Sequence, residues 1–290
     1  MASILSVALT IIVQAAMISA LYALIAIGFT LIFGVGGVLN LAHGATITMG
    51  AFSAYYAGQF GLGIPGAVLA SVTIPALFAG LLYLGMVKRL EEEPIMVMIT
   101  TLVVSVVIEQ AIVVFEGTTS RSLPRLIEGQ FHIAGSTFQN LLGVMFVVSW
   151  IIIGLLFLFV NYTKTGKGIL AVSMSHKGAS LVGIKSSRIN LITWIIAGAF
   201  AGIAGLFLGS WLTADFAMGQ AQLVLSFSIV VVGGIGSIRG SVIGAYLIGF
   251  LEIATTNLIS SSLQGLAPLV VLVVVLLVKP EGLFGREFAE

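Results

Sequence analysis

The sequence predicts an all-α polytopic membrane protein. Of its 290 residues 59% are apolar or aromatic, only 8% are charged, and the stretches between charges are long enough to cross a bilayer. Mean hydropathy is +1.19. A water-soluble domain of this size cannot absorb so much apolar surface, because its solvated face needs charge. Lipid is therefore the expected solvent. No polar block long enough for a separate soluble domain interrupts the chain, so residues 1–290 read as a single transmembrane domain. The absence of cysteine excludes disulfides, thiolate metal sites and cysteine nucleophiles. A formal net charge of +1 gives no general attraction to nucleic acid.

A helix needs about 20 mainly apolar residues to cross a hydrocarbon layer roughly 30 Å thick. Runs that meet or approach this length fall at 8–33, 43–58, 65–87, 95–115, 140–161, 191–212, 222–235, 241–259 and 265–278, which predicts 8–9 transmembrane helices. The first has no Lys or Arg ahead of it and no small-residue cleavage site, so it reads as a retained span and not as a secretory signal. Its length leaves room for a break. The second, seventh and ninth are short and Gly-flanked, the expected form of tilted, re-entrant or broken segments. Asn40 and His43 sit three residues apart at the Gly-rich break after the first span, where they are candidates to hold freed backbone groups. His43 has no partner at metal-ligand spacing, since His132 and His176 lie on other loops.

Farther along, Glu91-Glu92-Glu93 precede Pro94 and are read as a solvated run that ends one helix, with Pro94 in the first turn of the next. A contact with a soluble partner is the sharper alternative for that run. Glu109 and Glu252 fall inside the fourth and eighth spans. A carboxylate is costly in hydrocarbon, so each is a candidate either for lining a polar pathway or for bonding between helices. Gly198, Gly202, Gly205 and Gly209 recur on one helical face, where two backbones can approach closely, as an internal seam or as a subunit interface. A weak echo relates Gly36-Gly37, Gly44 and Gly50-Ala51 to Gly233-Gly234, Gly240 and Gly244-Ala245. Such echoes mark transporter repeats, although glycine-rich membrane sequences also produce them by chance.

Basic residues set the orientation, because short loops rich in Lys and Arg stay cytoplasmic. Four groups alternate onto one side: Lys88 and Arg89; Lys164, Lys167, Lys177, Lys185 and Arg188; Arg239; and Lys279 with Arg286. Arg121 and Arg125 fall opposite, offset by Glu116 and Glu128. The carboxyl terminus is thus expected inside and the amino terminus outside.

The most informative polar segment is 161–190, long for a connector in so compressed a chain. Its centre, 169–184, is expected to form a short helix. Within it Lys177-Gly178-Ala179, three residues and then Gly183 resemble the coupling loop of ATP-binding-cassette importer permeases, whose common pattern is Glu-Ala-Ala, three residues, Gly. The last Ala and the Gly match; the Glu and first Ala do not. Three further stretches, 20–44, 232–241 and 279–285, resemble the signatures of a narrower group, the branched-chain amino acid permeases, and within it the shorter of two paired subunits.

That resemblance implies a permease subunit in the cell inner membrane, importing branched-chain or other hydrophobic amino acids by alternating access. It also implies partners: two cytoplasmic ATPase subunits, a second homologous permease and a periplasmic substrate-binding protein, all set in membrane lipid. Residues 161–190 would then be the coupling loop, with Ala179 and Gly183 letting it pack closely. A bulky residue at 183 is expected to uncouple transport from ATP hydrolysis. The same assembly moving urea, short amides or a sugar, or a self-sufficient secondary transporter or channel, are the alternatives. No phosphate-binding loop is present, as Gly166-Lys167-Gly168 lacks the leading glycine and the hydroxyl residue. With no Gly-x-Ser-x-Gly elbow and no metal set, neither an enzyme nor a cofactor is expected.

Overall fold

The computed structural model describes residues 4–123, 126–133, 135–279 and 281–284. Arg125, Pro280, Gly285 and Arg286, all used above, lie outside the described residues. The fold is all-α and polytopic: the described residues form eleven α-helices and one antiparallel hairpin, β1 (Gln130–Ile133) with β2 (Ser136–Gln139). Six helices are long and apolar enough to cross a membrane. They are α1 (Ile4–Gly36), α3 (Gly63–Gly85), α4 (Pro94–Glu116), α5 (Asn140–Tyr162), α8 (Ser186–Trp211) and α10 (Ile238–Leu258).

The three segments whose hydropathic runs are short are also the short helices: α2 (His43–Gln59), α9 (Met218–Gly233) and α11 (Leu266–Val278), of 17, 16 and 13 residues. At 1.5 Å per residue the last spans about 20 Å, less than the hydrocarbon layer. The remaining two, α6 (Lys164–Met174) and α7 (His176–Leu181), occupy the long polar connector. α1 runs unbroken to Gly36, where the sequence left room for an interruption.

The chain forms two compact units. In the unit made of residues 28–124 and 153–223, α8 lies against α3 and α2. Glycine sets these approaches. Pro75, inside α3, has no N–H and so leaves the Ser71 carbonyl without its helical donor. Gly202 is set against that carbonyl, close enough that a Cβ would overlap it, and the Gly202 Cα lies 2.5 Å from where a Cβ on Gly50 would be. Gly198 meets Pro75 and Ala79 of α3, whereas Gly205 and Gly209 meet Ile47 and Ala51 of α2. The glycine face thus forms a seam internal to this unit and divides between two neighbours. Around one end of it Tyr83 and Trp194, both buried, pack with Ile32, Val38, Leu82 and Val97.

The other unit comprises the described residues of 1–27, 125–152 and 224–290. Here the backbones of α9 and α10 touch at Gly233 and Gly240. Leu283 and Phe284 donate backbone bonds to the carbonyls of Val232 and Gly233 at 2.8 and 3.1 Å, pinning the end of the described chain beside that turn. At its far end Thr10 and Ser136 hydroxyls bond at 2.6 Å, tying the start of α1 to the hairpin. Of the two motifs of the glycine echo, Gly37 (φ 64°) and Gly234 (φ 100°) each follow a helix end, but the packing differs: Gly44 meets Gly219, whereas Gly240 meets Gly233.

Candidate functional site

Residues 161–190 fold as two helices where one was expected across 169–184. Thr163 and Ser175 cap α6 and α7, their hydroxyl oxygens accepting the amides of Gly166 and Gly178 at 2.9 and 3.0 Å. Such a cap stabilises a helix by about 1 kcal/mol. Ser175 is extended (φ −165°, ψ 116°), which ends α6 and restarts the chain as α7. The inner faces close on one apolar cluster of Val35, Ile169, Val172, Ala179 and Ile189. His176 Nε2 donates to the Val35 carbonyl at 2.7 Å, fastening α7 to the last turn of α1.

The outer face is different. Lys177 and Gly178 are exposed, and so are the apolar Met174, Leu181 and Val182, the last two at 81% and 73%. Apolar side chains bared beside lysines, on an element whose other face is tightly fastened, are what a protein partner covers. Of the two small residues expected to pack closely, only Ala179 does. A Cβ on Gly183 would meet nothing; what holds glycine there is its φ of +81°, which turns the chain from α7 into α8.

At the same end of the unit lies a polar cluster that the charge-run reading of 91–93 did not foresee. Glu91 is half-buried, and its Oε1 accepts from the Tyr83 hydroxyl at 2.5 Å and from Asn190 Nδ2 at 2.9 Å. Tyr83 also lies 3.1 Å from the Ser187 carbonyl. Glu92 and Glu93 are exposed, as expected. The cluster ties the α3–α4 turn to the start of α8, directly after the capped helices. Because bonds to a charged acceptor contribute roughly 1.5–3 kcal/mol, Glu91→Ala should lower the thermal midpoint of the purified protein by several degrees, while Glu92→Ala leaves it unchanged. Equal midpoints would show that the cluster carries no stability.

Asn40 bonds the backbone between α1 and α2, and the His43 ring packs beside it. Asn40 Oδ1 accepts the Ala42 amide at 3.0 Å, and the Leu41 amide donates to Thr101 Oγ1 at 3.1 Å. His43 is buried edge-on to Phe29, 5.7 Å between ring centres, and fills the space over Gly28. Among the described residues no group of His, Asp and Glu is arranged to hold a metal ion.

Glu109 is buried and accepts from Ser105 Oγ at 3.3 Å and Gln220 Nε2 at 2.8 Å, so it bridges α4 and α9; its sequence neighbour Gln110 takes no part in these bonds. Glu252 is buried on α10 and bonds the Tyr22 hydroxyl of α1, while Asn257 turns back to the Ile253 carbonyl at 2.8 Å. One Glu252 oxygen has no protein partner. Sequence reasoning thus found the two carboxylates and missed their partners Gln220 and Tyr22, as it missed Tyr83, Asn190 and the contact of His176. Apart from Tyr83, eight residues before Glu91, each partner is far away along the chain, and no local pattern marks any of them.

Comparison with known proteins bears on the whole of this arrangement. The family described as "Branched-chain amino acid transport system / permease component" matches residues 11–278. The chain is 30% identical to the high-affinity branched-chain amino acid transport system permease protein LivH of Salmonella typhimurium, over 93% of this chain and 92% of that one. It is 27% identical to the corresponding permease protein BraD of Pseudomonas aeruginosa, over 93% of each. It is 25% identical to the autoinducer 2 import system permease protein LsrD of Salmonella paratyphi B, over 86% of this chain and 78% of that one. No solved structure matches the chain.

Proposed function

We propose a function from the premise that this chain belongs to the family of permease components of branched-chain amino acid transport systems. It is a membrane-spanning permease subunit of an ATP-binding-cassette importer, and its cargo is branched-chain or other hydrophobic amino acids. The observation that carries the reading is α7: a capped helix, buried on one side through Ala179 and bonded to α1 through His176, baring Lys177, Leu181 and Val182 on the other. In a chain without a phosphate-binding loop, that is the shape of an element through which another polypeptide delivers work.

The partners in this scheme are two cytoplasmic ATPases on α6–α7, a second homologous permease, and a soluble binding protein on the opposite side. Residues 1–290 act as one permease domain, a reading supported by the continuous family match. Orientation with the carboxyl terminus in the cytoplasm is supported within each unit. Tyr83, Glu91 and Asn190 bring the turn holding Lys88 and Arg89 beside the start of α8, which holds Lys185 and Arg188. In the other unit Lys279 lies near the turn that precedes Arg239. One-sided basic charge is the mark of the cytoplasmic face. Glu109 and Glu252 remain candidates for the pathway, and Asn40 with His43 for its broken-helix edge.

A tagged copy expressed with its neighbouring genes should recover two ATPases and a sister permease. Proteoliposomes of that assembly, with a binding protein present, should take up leucine only with ATP. Uptake by this chain alone, without any ATPase, would point instead to a secondary transporter. Because one relative is named for autoinducer 2 import, the uptake panel should also include a small polar solute. Preference for that solute would retain the importer and replace the cargo.

A further inference from the structure

The unit formed by 28–124 and 153–223 holds an open groove of about 490 Å³ between the second half of α2, the start of α3 and the last turns of α4. Its wall is almost wholly apolar, with Phe52, Phe60, Ile74, Ile108, Ile112 and Phe115 among its larger members. Ser53, also on the wall, has its hydroxyl committed to the Met49 carbonyl at 2.7 Å. Nothing in the proposed transport scheme uses this space.

At the rim stands an ion pair. The Tyr56 hydroxyl donates to Glu116 Oε1 at 2.5 Å, and Arg121 Nε lies 2.9 Å from Glu116 Oε2. Arg121 Nη2 donates to the Glu116 carbonyl at 3.1 Å, and the Arg121 backbone exchanges bonds of 2.7 and 2.8 Å with Ala214. The arginine is therefore fixed in place at its backbone, yet 38% of its side chain stays exposed.

We propose that this is a phospholipid site: one acyl chain of a zwitterionic phospholipid fills the groove, and its headgroup lies over the ion pair, phosphate on Arg121 and ammonium on Glu116. The volume falls within the roughly 300–1,000 Å³ of small-ligand pockets, and an apolar space of this kind takes up an apolar guest in preference to water. A planar guanidinium with donors to spare suits a phosphodiester. The rim carries one charge of each sign and is neutral overall, so a zwitterion, itself neutral, matches it better than an anionic headgroup. An amino-acid cargo would place only a short side chain in a wall that offers no polar partner inside. A helix of a second subunit, about 10 Å across, is too wide for the space and would bury the exposed part of Arg121 at a cost.

The test uses purified full-length protein in nanodiscs of phosphatidylethanolamine with phosphatidylglycerol, read by native mass spectrometry after release. One phosphatidylethanolamine per chain should be retained. Ala111→Phe, which fills the wall, and Arg121→Gln, which removes the phosphate donor, should each reduce retention at least tenfold; Ala70→Phe is the alternative wall variant should Ala111→Phe fail to fold. A phosphatidylethanolamine with a diazirine on its acyl chain should label 49–60 and 108–116. Equal retention of the two lipids, unchanged retention in folded variants, or label spread over all exposed helices would each overturn the site.

Discussion

Replacing Gly202 with leucine should remove folded protein from the membrane fraction, lowering its yield at least tenfold. At this position α8 lies against α3 over the Ser71 carbonyl that Pro75 leaves without its helical donor, and against α2 at Gly50. A Cβ on Gly202 would overlap the Ser71 oxygen and stand 2.9 Å from Pro75 Cγ. Neither neighbour is the free end of a flexible side chain, so the strain cannot be relieved by a rotamer change. Overpacking a well-filled core ordinarily costs about 1–3 kcal/mol; here whole helices must separate, and in lipid no hydrophobic drive brings them back. Gly154→Leu on α5 is the control, because a Cβ there would meet nothing within 4 Å. Wild-type yield of the Gly202 variant would refute the close-approach account of this seam.

That seam also marks how far the sequence could be read. Hydropathy located the six helices long enough to cross a membrane, because crossing hydrocarbon imposes a length that composition reveals directly; the other three of the nine expected segments are helices of only 17, 16 and 13 residues. The glycine spacing announced close approach, but it could not name the helices approached. Gly198 turns to α3, Gly202 to both α3 and Gly50 of α2, Gly205 to α2, and Gly209 to Ala51 of α2 and to Leu123. Helices apolar all round carry no stripe that tells one neighbour from another.

Polar residues show the same limit. Glu109 and Glu252 stood out by their cost, yet their partners Gln220 and Tyr22 are distant along the chain. Adjacent residues such as Gln110 point away on a helix and could not have served. Glu91 was grouped with two solvated neighbours because charge runs are usually exposed. Only the fold brings Tyr83 and Asn190 to it. The hairpin of β1 and β2 was missed altogether, its strands being four residues each within a polar connector.

Placing charge on the outer face of α7 should separate ATP hydrolysis from transport. Leu181→Asp with Val182→Asp alters two side chains that are exposed, so the permease should insert and fold as before. If an ATPase seats this helix, those residues enter an apolar groove, and burying two carboxylates there would be strongly unfavourable. ATP-driven leucine uptake should then fall at least tenfold, while the yield of permease stays unchanged and ATP turnover persists in whatever ATPase still associates.

Gly183 allows an independent check on the same element. It has open space but a φ of +81°, so size alone is not the obstacle. Left-handed backbone costs an ordinary L-residue about 1–2 kcal/mol, and asparagine less. Gly183→Asn should therefore keep most uptake, whereas Gly183→Val, which cannot readily hold the turn after α7, should lose it. Were valine tolerated as well as asparagine, the orientation of α7 relative to α8 would not be what carries the stroke. Normal uptake in the double aspartate variant would go further and remove α7 from the coupling path.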